Sequence, residues 1–307
     1  MTDAQLRAFG AFARTLSFTR AAEELHISQP VVSRHISELT ARAGVPLTRR
    51  IGRRNELTPP GEYLANYVLQ AEAMLEQAFR NVKQFSAQSG RVSVVASSTP
   101  GTYLLPAPMG QFLGHGAEVD LELTTAPAAA EAVRAHRFDL GVVGAFEPVA
   151  DLESEPILHD ELVFVGSPAM KGSTLSVAEL ESQTWINREE GTTTRFSVER
   201  LWRELGISPR RRLTLPSREA VKVAVAEGLG IGACTRFALD VELAAGTLTI
   251  LQLAIPKLRR RIYLIKPRGV PLTPAASAFV DIVATTWKLR HPDALISEGA
   301  ERVTSWL

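Results

Sequence analysis

Apolar residues recur at helical spacing from the start of the chain: Leu6, Phe9, Phe12 and Ala13 share one face of a segment running from Gln5 to Thr15. A second, shorter helix is expected from Thr19 to Leu25, where the pair Ala21-Ala22 is small enough for another helix to approach closely. His26 and Ile27 then read as a tight turn. Ser28 stands where it can cap a third helix, with Pro30 in the first turn, where a missing N–H does no harm. On that third helix Val32, Ile36 and Leu39 fall on one side, and Pro30, Ser33, Arg34 and Ser37 on the other. After Gly44 the runs VPLTRR and ELTP are two short extended pieces around the turn IGRRN. The pattern is that of a winged helix-turn-helix.

From Gly61 to Gln88 there is neither proline nor internal glycine, and Leu64, Val68, Ala71, Leu75, Ala78, Val82 and Phe85 follow alternating steps of four and three. Such a seam asks for a partner helix, and about 28 residues make a rod of about 42 Å. Dimerisation through this helix is the natural consequence; the alternative is packing of the seam on the chain's own C-terminal part. Ser89-Gly90 is expected to form a hinge. Beyond it, β-branched runs alternate with helical stretches, the signature of an α/β body. Strands are expected at 92–96, 119–123, 140–144, 162–166, 184–187, 212–215, 230–235, 248–253 and 260–265. Helices are expected at 103–113, 128–136, 195–205, 217–227, 236–244 and 274–290. The domains expected are 1–60 for the winged head, 61–90 for the linking helix and 91–307 for the body.

Charge sharpens this division. The 307 residues carry 34 Lys+Arg against 33 Asp+Glu, yet the first sixty hold nine arginines and five acids, leaving the remainder mildly acidic. No lysine precedes Lys83. Arginine's planar fork suits phosphate oxygens and guanine edges, so the head is matched to nucleic acid, although an Arg-rich solvated surface remains the plain alternative. A helix with an apolar back, led by Gln29 and fronted by Pro30, Ser33, Arg34 and Ser37, fits a major groove. The wing arginines Arg49, Arg50, Arg53 and Arg54 are then expected on phosphates or in the minor groove.

These residues also carry a family resemblance. The run from Leu6 to Glu62, with its core SFTRAAEELHISQPVVSRHI, the GVPL pair and the exit R-x-x-x-LT-x-x-G, resembles the DNA-binding domain of the LysR-type transcriptional regulators. Two departures are visible: Thr48 stands where the family usually has Phe, and SELT replaces the usual leucine-glutamate ending of the recognition helix. Either departure is expected to loosen the wing's packing on helix three. The resemblance implies a body like type 2 periplasmic binding proteins, with two α/β lobes, two crossing strands and a ligand cleft. Lobe one would be 91–161 plus 267–307, and lobe two 162–266. It further implies a homodimer paired through Leu64, Val68, Ala71, Leu75, Ala78 and Val82, often assembled into a homotetramer. Double-stranded DNA and a small anionic metabolite are the implied partners, with RNA polymerase a further candidate and no membrane.

Local signatures fit such a cleft. Ser97, Ser98 and Thr99 follow the first expected strand of the body, and Thr192, Thr193 and Thr194 precede a helix; hydroxyls and free N–H groups at helix N-termini accept carboxylates and phosphates. Taken singly, each is also an ordinary N-cap. By resemblance, the effector contacts would be Ser98, Thr99, Thr192 and Thr194, with Thr125 and Gly144 as further walls. The loop 124–133 departs from the family pattern in offering Ala and Pro, and Ser217 reads as a cap.

No catalytic set is visible. The six histidines show no metal-binding spacing, and the single Cys234 completes no zinc site with them. The Gly228–Gly232 run imitates a dinucleotide fingerprint but follows a helix and precedes a strand, the reverse of what phosphate cradling requires. No metal or cofactor is expected apart from the effector. A chain with no leader pattern and no run of 18 apolar residues is expected in the cytoplasm. An enzyme on the two-lobed fold with an appended DNA-binding head is the alternative from another class, and a DNA-bending architectural protein with a vestigial cleft is a third.

Overall fold

A computed structural model describes residues 1–52, 54–84, 90–253, 255 and 257–299. They fall into two compact units: Met1–Lys83 with Ala135–Arg137, and the described residues of Gln84–Arg134 and Phe138–Leu307.

In the first unit, α1 (Asp3–Thr15) opens with a capping box in which Thr2 and Gln5 satisfy each other's backbone N–H groups. Helix α2 (Phe18–Leu25) is capped by Ser17, and α3 (Gln29–Ala43) follows Ser28. Ser28 has the extended backbone of an N-cap, but its side chain makes no capping hydrogen bond, which corrects the expectation that its hydroxyl caps the helix. Strands β1 (Thr48–Ile51) and β2 (Arg54–Leu57) form the antiparallel wing. Helix α4 spans Pro59–Gln84 and starts two residues before the expected Gly61. Its two leading prolines occupy first-turn positions, where no intrahelical donor is required. Gly61 is obligatory there, because a Cβ would lie 1.9 Å from the carbonyl oxygen of Leu47.

One core holds this unit together. Phe9, Phe12, Ala21, Ala22, Val32, Ile36 and Leu39 are buried in it together with Leu47, so the wing is anchored by the residue just before its first strand. Arg14 bridges Glu24 at 2.5 Å and Glu72 at 2.7 Å, tying α1 to α2 and α4. Ala65 and Val68 are buried in the same core, with Leu64 packed against it. The expectation that Leu64 and Val68 face a partner helix is therefore corrected: the head consumes the first two positions of the seam. Ala71, Leu75, Ala78 and Val82 are exposed and continue it. Phe85, Ser89 and Arg53 lie outside the described residues.

The second unit begins with β3 (Arg91–Ser97), a π-helical turn at Pro100–Leu104, α5 (Pro106–Gly114), β4 (Glu118–Thr124), α6 (Ala126–Arg134) and β5 (Leu140–Gly144). The long β6 (Leu152–Gly166) leads to β7 (Thr174–Leu175), α7 (Val177–Ser182), β8 (Thr184–Arg188), α8 (Thr193–Leu205), β9 (Arg211–Leu215) and α9 (Arg218–Ala226). Then come β10 (Ile231–Thr235), α10 (Asp240–Ala245), β11 (Thr249–Ile250), β12 (Gln252–Leu253), β13 (Leu258–Pro267) and α11 (Pro274–Arg290). One sheet runs in the order β4-β3-β5-β13-β6-β10-β8-β9, with β11 also on β6. Its flanks, β4-β3-β5 and β10-β8-β9, are parallel, while β6 and β13 pair antiparallel with each other and join the flanks. The architecture is two α/β lobes linked by two crossing strands.

Each lobe has its own core. Val92, Val94, Leu140, Phe279 and Trp287 fill one face of the first lobe, and Trp185, Trp202, Leu180 and Leu201 fill one face of the second. Gly230 allows β10 to begin against β8, since a Cβ would meet the Thr184 carbonyl oxygen at 2.1 Å. The glycine run that imitates a nucleotide fingerprint thus serves close strand packing. In this unit the elements depart from the sequence pattern in places. The first half of β6 carries Glu153, Glu155 and Pro156, which mask its alternation, and Pro156 sits where the register with β13 shifts. The segment expected as one strand at 248–253 divides, because Ile250 pairs with β6 whereas Gln252 pairs with β7. Helix α7 was unexpected. The chain after α11 adds to the core: Leu295 bridges to Leu158, and the Ile296 N–H donates to the Ile157 carbonyl at 2.8 Å.

Candidate DNA-reading face and effector cleft

On α3 the buried residues Val32, Ile36 and Leu39 fix the rotation of the helix, leaving Gln29, Pro30, Arg34 and Ser37 exposed and Ser33 half-buried. The Arg34 guanidinium lies 3.9 Å from Glu38, but its side chain is 65% exposed, so this is a screened surface pair that does not commit the cation. Glu38 is held below the ordinary carboxylate range, chiefly by the hydrogen bond that the Gln5 amide donates at 2.9 Å. In the wing, Arg49 pairs with Glu56 at 3.2 Å and Arg50 donates to the Gly52 carbonyl at 3.2 Å, and both stay exposed, as does Arg54.

In the second unit all six expected effector positions, Ser98, Thr99, Thr125, Gly144, Thr192 and Thr194, line one cavity of about 230 Å3. It opens where β3, β5 and β8 end and where α8 and α9 begin, the carboxyl edge at which open α/β sheets bind ligands. Several hydroxyls are already engaged. Thr192 caps α8, accepting from the Arg195 N–H at 3.3 Å and donating to the Glu189 carbonyl at 3.0 Å. Thr125 accepts from Ala128 N–H at 3.3 Å, and Ser97 accepts from Gly144 N–H at 3.0 Å. Ser217 caps α9 through the Ala220 N–H at 3.0 Å.

Charge in the cleft comes from residues the sequence pattern did not single out: Arg188, Arg218 and Arg260, with Glu189 and Asp160. Arg188 pairs with Glu189 at 2.5 Å, and that hydrogen bond, against the opposing effect of burial, holds Glu189 below the usual glutamate range. Arg260 on β13 pairs with Asp160 on β6, which also accepts the Thr235 hydroxyl of β10; the Arg260 and Asp160 side chains are 9% and 3% exposed. Arg218 donates to the hydroxyls of Ser98 at 3.2 Å and Thr99 at 3.1 Å. Among the described residues, no group of three or more His, Cys, Asp or Glu side chains is placed to hold a metal ion, and no helix is long and apolar enough to cross a membrane.

The comparisons with known proteins agree with both units. Residues 4–62 match the family described as "Bacterial regulatory helix-turn-helix protein, lysR family", and residues 86–288 match "LysR substrate binding domain". The RuBisCO operon transcriptional regulator of Allochromatium vinosum is 33% identical over 295 residues, covering 94% of this chain and 97% of that protein. The chain belongs to the LysR family of transcriptional regulators. Among solved structures, the Synechocystis PCC6803 CcmR regulatory domain in complex with 2-PG is 30% identical with a TM-score of 0.59, covering 66% of this chain and 99% of that one. Full-length CbnR complexed with its target DNA shares the fold at 23% identity and a TM-score of 0.62, covering 93% of this chain and 100% of that one.

For this LysR-family chain, one overlooked arginine did leave a sequence signal. Arg218 is the first residue of α9, where the helix dipole disfavours a cation, so a basic residue just after a serine cap asks for a reason. Arg188 and Arg260 sit in charge-rich strand ends that give no comparable cue. Cys234, in β10, is 1% exposed, and burial pushes its thiol up to about 11 against the opposing pull of Arg218 and Lys222. A thiol-reactive dye at pH 8 is therefore expected to leave the native protein unlabelled and to label it fully in denaturant. Rapid native labelling would contradict the burial.

Proposed function

We propose that this LysR-family regulator reads operator DNA with Gln29, Pro30, Ser33, Arg34 and Ser37 and holds phosphates with Arg49, Arg50, Arg53 and Arg54. A small anion bound among Ser98, Thr99, Thr125, Gly144, Thr192 and Thr194 then shifts its conformation. The single observation that carries this reading is that all six of those positions, expected on sequence grounds, border one cleft that also holds three guanidiniums. The CcmR complex with 2-PG supports an anionic ligand in such a domain. The cleft's floor is crossed by β6 and β13, so closure around a ligand turns the lobes about two strands, a hinge motion. The effector then acts by population shift, favouring the lobe arrangement that it binds better.

Self-association is part of the proposal. Leu75, Phe79 and Val82 are 57%, 71% and 64% exposed on α4, where Leu75 and Phe79 border a groove of about 570 Å3 whose remaining lining is mostly charged. A second α4 fits this apolar stripe, giving a homodimer on DNA and, through further contacts, a homotetramer. We place the protein in the cytoplasm, with RNA polymerase as a candidate partner.

The test is a thermal titration of the full chain. Inorganic phosphate or 2-PG at about 100 times Kd should add roughly 2.7 kcal/mol and raise the melting temperature by about 5–10 °C. The same anion should change the affinity for an operator duplex. If neither anion moves either quantity while a neutral or cationic metabolite does, the anion reading is wrong.

A further inference from the structure

Arg218 is 7% exposed, and among the described residues no carboxylate lies within 4.0 Å of its guanidinium. Glu189 and Glu219 feel its charge from beyond that distance, but neither pairs with it, and a near-buried guanidinium that borders a cavity with no carboxylate in contact favours an anion that completes it. Its surroundings are built for that purpose. The guanidinium stands over the Tyr103 ring with its carbon 5.2 Å from the centroid, and it donates to Ser98 at 3.2 Å and Thr99 at 3.1 Å from the opposite lobe. The next residue, Glu219, accepts from the Tyr103 hydroxyl at 3.3 Å. A hydroxyl that accepts from Arg218 keeps its own hydrogen to donate, so the three groups form a composite donor set drawn from both lobes.

The other two guanidiniums are already answered, Arg188 by Glu189 and Arg260 by Asp160. Three guanidiniums thus line the cleft with two carboxylates, and each of those carboxylates contacts a guanidinium other than Arg218. The cavity of about 230 Å3 adjoins one of about 640 Å3 with which it shares Pro127, Gly191, Thr192, Thr193 and Arg260, so the anion-binding end is small while the remainder of a ligand has room beyond it.

Resting on the proposed anionic effector, we propose that Arg218 is the residue that reads it. It takes one carboxylate or phosphate group, clamped between Arg218 of one lobe and the Ser98 and Thr99 hydroxyls of the other. The direct Arg218 contact with those hydroxyls is the unliganded form of the same clamp. One anionic head suffices, and the remainder of the ligand meets hydroxyls and paired carboxylates.

The experiment is a titration of the full chain, followed by tryptophan fluorescence melting, with inorganic phosphate, glycolate and fructose 1,6-bisphosphate. Wild type, Arg218→Met and Arg218→Lys are compared. The expectation is saturable stabilisation of wild type, with apparent Kd rising roughly 10- to 100-fold in Arg218→Met, as for a lost charged hydrogen bond. Arg218→Lys keeps the charge but not the fork and should fall between. A destabilised but folded Arg218→Met is compared by its anion-induced shift, which a purely structural role leaves intact. If Arg218→Met does not fold, the Lys variant decides, and an unchanged Kd there overturns the proposal. Wild type and Arg218→Met responding equally would overturn the assignment to Arg218 while leaving the anionic effector standing. A bisphosphate binding a hundredfold tighter than phosphate would overturn the single-anion claim. No response of wild type to any probe would overturn the anion reading itself, and this inference with it.

Discussion

Replacing Arg34 by alanine is expected to weaken binding to a selected operator roughly 5- to 150-fold for each half-site at fixed salt, the range for one bidentate base contact. Binding to bulk duplex should change little. The reason is the placement of the side chain: Val32, Ile36 and Leu39 lock the back of α3 into the core, so Arg34 is presented outward and, among the described residues, is paired only with a distant, exposed Glu38. Fluorescence anisotropy with operator and scrambled duplexes checks it. Arg49→Ala should behave differently, weakening both duplexes alike and reducing the salt slope by about one, because a phosphate contact carries no sequence information. Equal losses on both duplexes in Arg34→Ala would show that α3 presents the wrong face.

The second large effect concerns the hinge. Asp160→Ala should cost about 3–5 kcal/mol, because it leaves the Arg260 guanidinium buried without its counter-charge and removes the acceptor of the Thr235 hydroxyl. For a unit of this size that is a fall of roughly 6–20 °C in melting temperature. Tryptophan emission isolates it, since all four tryptophans (Trp185, Trp202, Trp287 and Trp306) lie in the C-terminal part of the sequence. The loss should be partly recovered by phosphate, because Arg260 then offers the cleft a second unmatched cation. A variant with wild-type melting would show that β6 and β13 do not depend on the pair.

Legibility in the sequence followed physical locality. The head was readable because its signals are short-range: the spacing of Phe9 and Phe12 and the Ala21-Ala22 pair each report on neighbouring turns of a helix. The positions that line the cleft were also readable, since Ser98, Thr99, Thr192 and Thr194 sit at strand-helix junctions and match the family pattern. What was not readable is long-range. Leu64 and Val68 keep a flawless heptad spacing, yet the head's core takes them, because periodicity states that a residue will be buried without saying against what. Asp160 and Arg260 are a hundred residues apart and meet only because β6 and β13 cross. Charged residues inside strands read as solvent-facing until a partner strand is known.

Whether α3 reads sequence is tested most directly by selecting binding sites from a random-sequence duplex library with the full chain at physiological salt. A sequence-reading dimer should enrich one motif in two related half-sites, spaced by about one helical turn or a multiple of it. Recovered duplexes that share no sequence, bound with an affinity set by salt alone, would contradict it.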